Sequence, residues 1–60
     1  MTPADIRARR DALGMTQRAM AEALGVPLNT YARWEQGARQ PENPSLLRLA
    51  LDHLALERTA

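Results

Sequence analysis

The sequence predicts an all-α fold, a compact domain of four short helices. Three observations predict it. Ala, Leu, Arg and Glu dominate the composition, and these residues lose little on entering a helix. Phe is absent and Ile and Val appear once each, which leaves too few β-branched and aromatic residues for a sheet. Gly14, Gly25 and Gly37, with Pro27 and Pro44, cut the chain into pieces of helix length.

Thr2-Pro3-Ala4-Asp5 reads as a helix start. Thr2 is the cap, Pro3 fits the first helical position, and Asp5 completes a capping box. This helix is expected to run to about Leu13 and stop at Gly14. Ile6 and Leu13 form its apolar stripe, and Arg10 points the same way. An unpaired buried Arg costs on the order of several kcal/mol, so Arg10 calls for a carboxylate. Thr16 caps a second helix that ends near Leu24. Met20, Ala21 and Leu24 face inward, while Gln17, Arg18 and Glu22 point outward or sit near its start. Gly25 breaks that helix, and Pro27 forces Val26 into an extended conformation. A third helix runs from about Pro27 to Gln36 and ends at Gly37. Residues 38–43 form a loop, and Asn43-Pro44 starts a fourth helix that reaches about Glu57. Helices joined by so tight a Gly-containing turn as the second and third form a helix-turn-helix, here about residues 16–37.

Winding residues 28–36 at about 100° each separates two faces. Tyr31, Trp34 and Glu35, with Thr30 at the edge, share one. Leu28, Asn29, Ala32, Arg33 and Gln36 share the other. The aromatic face has the largest apolar area and belongs to the core. That places Glu35 near the core and makes it the expected partner of Arg10. The opposite face is then exposed. Its Asn, Gln and Arg are the residue types that pair with base edges, and Leu28 and Ala32 suit thymine methyl groups.

Sixty residues allow one domain, spanning 1–60, with a core of marginal size. With no Cys, neither a disulfide nor a thiolate metal site is available, and His53 alone makes no metal site. No cofactor is expected. No Gly-rich phosphate loop and no room for a closed pocket argue against an enzyme. The net charge of +1 does not by itself announce nucleic acid. All eight basic residues are Arg, however, and six of them fall in residues 7–39 against Asp11, Glu22 and Glu35. A GC-rich genome explains the missing Lys but not the clustering. No apolar run is long enough to span a membrane, and Met1 to Leu13 is too charged for a signal peptide. A soluble, cytoplasmic protein is expected.

The run from Thr16-Gln17 through Ala21, Gly25, Thr30 and Trp34-Glu35-x-Gly37 resembles the helix-turn-helix of the Cro and phage-repressor, or Xre-type, family. Ile6-Arg7-x-x-Arg10-x-x-x-Gly14 and Pro41 extend the likeness over about Ile6 to Leu54. Each motif is weak alone; in order and without gaps they are strong. The resemblance implies a lambda-repressor-like domain that binds double-stranded operator DNA, with the third helix in the major groove. It implies that Leu28, Asn29 and Arg33 read bases, and that Gln17 contacts phosphate and an outer base. Thr16, Gln36 and Arg39 would then hold phosphate, and Arg10 and Glu35 would form a structural ion pair. It also implies a bacterial or phage source. Two departures stand out. Pro27 replaces the usual Ser or Thr cap, and Leu28 is apolar where many members carry a polar reader. Many members also have a fifth helix that helps them dimerise.

The fourth helix is apolar over an arc of roughly 220°, where one core needs only about 100°. Two faces are therefore expected to be in use. Leu47, Leu51 and Leu54 form one, and Leu46, Leu49, His53 and Leu56 the other; the sequence does not decide which meets the core. The unused face suggests a homodimer. A rival expectation is an antitoxin or adaptor that works through this leucine face without specific DNA binding. The alignment of Gln17, Asn29, Arg33 and Arg39 on one side favours DNA.

Overall fold

The computed structural model describes residues 1–59, with side chains through Glu57. It holds four helices: α1 (Pro3–Ala12), α2 (Gln17–Leu24), α3 (Leu28–Gln36) and α4 (Pro44–Thr59). No strand occurs among the described residues.

Each start has a local cause. The Thr2 N–H donates to Asp5 Oδ2 and the Asp5 N–H donates to Thr2 Oγ1, both at 3.1 Å, forming the expected capping box. Those bonds hold the Asp5 carboxyl below its ordinary pKa. Thr16 Oγ1 accepts from the Ala19 N–H at 3.0 Å, and Asn43 Oδ1 accepts from the Leu46 N–H at 3.1 Å. Pro27 precedes α3 and supplies no side-chain cap. α1 stops at Ala12, one residue early, because Leu13 is already its C-cap. α4 runs two residues past the expected Glu57. Gly25 and Gly37 close α2 and α3 with φ of +73° and +79°, a region that disfavours residues with a Cβ.

Every helix contributes to one core. Ile6 of α1, Met20 and Ala21 of α2, Tyr31 of α3, and Leu47 and Leu51 of α4 are buried together. Leu13, Leu24, Trp34 and Leu54 pack around them. The Trp34 and Tyr31 rings meet edge to face, with centroids 6.0 Å apart. The structure resolves the open question about α4. The Leu47, Leu51 and Leu54 face covers the core, while Leu46, Leu49 and Leu56 remain 61%, 65% and 69% exposed. A hydrogen-bonded ion pair between Arg9 and Asp52 ties α1 to α4. No described helix is long and apolar enough to cross a membrane.

Candidate nucleic-acid interface

The interface is built on a buried charge. Glu35 is 6% exposed, and donors from α1 and α2 grip its carboxylate. Arg10 Nε donates to Oε2 at 2.7 Å and Arg10 Nη2 donates to Oε1 at 3.2 Å, a forked pair that joins α1 to α3. Arg10 Nη1 donates to the Met15 carbonyl at 3.0 Å, which fixes the turn before α2. Gln17 Nε2 donates to Glu35 Oε1 at 3.1 Å, which joins α2 to the same carboxylate. Arg7 Nε lies 3.8 Å from Oε1 at the outer edge. The Arg10–Glu35 pair inferred from the two helix patterns is thus present.

Burial pushes the Glu35 pKa up. The donors around it, Arg10 first and then the nearby Tyr31 hydroxyl and Gln17, outweigh burial and bring it from 4.5 to about 2. The Tyr31 hydroxyl is itself buried without a hydrogen-bond partner of good geometry, and burial beside Glu35 pushes its pKa up. Because the folded Glu35 pKa lies below its unfolded value, its stabilising effect is complete above pH 4.5 and is lost as the pH falls toward 2. Melting temperatures followed by circular dichroism should therefore hold level from about pH 7 to about pH 5 and drop below that. The drop should be shallower in Glu35→Gln; an equally steep one would mean that other carboxylates cause it.

With Tyr31, Trp34 and Glu35 turned inward, α3 presents Asn29, Arg33 and Gln36 to solvent, as its pattern predicts. Arg39 is exposed in the following loop and only 3.9 Å from Glu42 at its nearest approach. Thr16 is exposed at the start of α2. Three residues differ from expectation, and one of them, Ala32 on the outward face of α3, is half-buried. Leu28 is half-buried and packs against the core, because it lies at the first turn of α3, next to the core edge. Gln17 sits at the start of α2 but is half-buried, with its amide turned onto Glu35. The Arg cluster is also partly spent inside the molecule: Arg9 and Arg10 serve ion pairs, while Arg7, Arg18, Arg33 and Arg39 remain exposed.

The expectation of no pocket needs qualification. An open groove of about 380 Å³ runs between α3, the 38–43 loop and α4, with Leu24, Val26, Trp34, Pro41 and Leu46 among its walls. It is a surface cleft and not a closed cavity. No group of acidic or His residues able to hold a metal occurs among the described residues.

Two short helices around a three-residue turn, the second anchored by one face and largely polar on the other, form a helix-turn-helix. A family model described as helix-turn-helix matches residues 6–51. The chain belongs to the Cro and phage-repressor, or Xre-type, helix-turn-helix family, whose members are DNA-binding transcription regulators and typically not enzymes. No curated protein and no solved structure matches the chain.

Proposed function

We propose that this regulator is a dimeric repressor that reads a pseudo-palindromic operator through α3. An autoregulatory role of the phage or toxin–antitoxin type suits it best. The observation that carries this reading is the exposed row of Asn29, Arg33 and Gln36 on a helix whose other face is locked to the core. Asn29 pairs with adenine and Arg33 with guanine. Leu28, being apolar, meets a thymine methyl group with the part of its side chain that stays exposed. Gln17 approaches an outer base or phosphate, and Thr16, Gln36 and Arg39 hold phosphates and set the register.

Arg39→Ala separates positioning from reading. It should weaken binding to all sequences alike and reduce the salt slope by about 1. A change in base preference would instead place Arg39 at a base edge.

The dimer reading rests on the exposed stripe of Leu46, Leu49 and Leu56, with His53 among them. His53 Nε2 lies 2.8 Å from Glu57 Oε1 at the edge of that stripe. Joining two copies there would set two α3 helices about one DNA turn, ~34 Å, apart. Leu49→Glu should give a folded monomer in sedimentation at micromolar concentration, and the unsubstituted chain a dimer. An unsubstituted chain that stays monomeric would remove the dimer. The same stripe supports a second reading, an antitoxin or adaptor surface, and the two roles are compatible in one protein.

A further inference from the structure

We infer that Glu35 is a positioning residue for DNA binding, which it serves by holding Gln17 at the mouth of the helix-turn-helix. The inference rests on the DNA-binding reading above. A Gln amide has an acceptor oxygen and a nitrogen with two hydrogens, and a carboxylate only accepts. The contact between Gln17 and Glu35 therefore fixes which end of the amide faces inward: Nε2, at 3.1 Å from Glu35 Oε1. One Nε2 hydrogen is used there. The second has no acceptor among the described residues and is available to a phosphate oxygen. A long, flexible side chain that would otherwise sample many rotamers is held in one before DNA arrives.

Among the described residues, Glu35 is the acceptor that the Gln17 amide hydrogen-bonds. Leu28, which opens α3, offers no polar atom. Arg10 already has Glu35 and the Met15 carbonyl as acceptors, and it has no acceptor to offer the amide. The same Arg10 contacts fix the turn that leads into Thr16 and Gln17. The carboxylate that closes the core thus also sets the start of α2 against α3.

The test uses Gln17→Met, Glu35→Gln and the double variant. Affinity for selected duplex DNA is measured over a salt series, with the folded fraction of each variant checked by circular dichroism. Gln17→Met, similar in length and unable to hydrogen-bond, should bind about tenfold more weakly with an unchanged salt slope, because an uncharged amide releases no counterion. Glu35→Gln should show the same loss per folded molecule, and the double variant should be no worse than either single one. Losses that multiply in the double variant would mean that Gln17 acts independently of Glu35 and would overturn the inference. So would an unchanged affinity in Gln17→Met. Should Glu35→Gln fail to fold, NMR relaxation of the Gln17 side-chain amide in the unsubstituted free protein decides. A rigid amide is expected, and a freely moving one overturns the positioning role. An unsubstituted chain that binds no DNA selectively would instead remove the DNA-binding reading itself, and the inference with it.

Discussion

Arg10→Ala should lower the stability of the free protein by about 3–5 kcal/mol, the range seen when one partner of a buried ion pair is removed. The reason is geometric. Glu35 is almost fully buried, and the Arg10 guanidinium donates two of the three hydrogen bonds its carboxylate accepts among the described residues, including the shortest. Removing that group leaves a carboxylate with Gln17 as its remaining close donor and a Met15 carbonyl without its side-chain partner. In a domain of this size each kcal/mol shifts the melting temperature by roughly 4–8 °C, so a drop of more than about 12 °C is expected. Differential scanning calorimetry of the variant without DNA checks this. An unchanged melting temperature would mean that the pair contributes nothing to the fold. Arg10→Met combined with Glu35→Leu should recover much of the loss, because the cost comes from the stranded charge more than from the missing bond.

Arg33→Ala should act on the other face. It should change the stability of the free protein by no more than about 0.5 kcal/mol, since Arg33 is exposed. It should weaken operator binding by about 1–3 kcal/mol and relax the preference at a single base pair. Binding profiles over a set of operators changed one base pair at a time would show this as one flattened position in each half-site. An equal loss at every position would make Arg33 a phosphate contact. Arg10 and Arg33 thus separate the two faces of α3, one through stability and one through sequence preference.

Much of this was legible in the sequence because it is carried by short-range rules. The caps at Thr2, Thr16 and Asn43 are each visible within four residues. The breaks at Gly25 and Gly37 follow from the left-handed backbone they adopt. The Arg10–Glu35 pair was legible from one step further: two charges, each on the apolar side of its own helix, require one another.

What was not legible depends on relations between helices. The Arg9–Asp52 pair joins residues 43 apart, and nothing local to either predicts it. The inward turn of Gln17 was hidden because a polar residue at a helix start is ordinarily solvated; only the presence of a buried carboxylate across the turn makes the inward rotamer favourable. The apolar arc of α4 showed that two faces were in use, but not which one meets the core. That depends on where α4 crosses the other three helices. The groove beside Trp34 likewise forms from separate segments: the end of α2 with its turn, α3, the 38–43 loop and α4.

The most direct test of the central claim is binding to the DNA immediately upstream of the protein's own coding sequence, by gel shift over a salt series with footprinting of the bound fragment. Nanomolar, salt-dependent, sequence-selective binding is expected, with two protected half-sites centred about one helical turn apart. Weak binding that does not distinguish this fragment from unrelated DNA would contradict an autoregulatory repressor. The same result on a pool of randomised duplexes would contradict specific DNA recognition by α3 altogether.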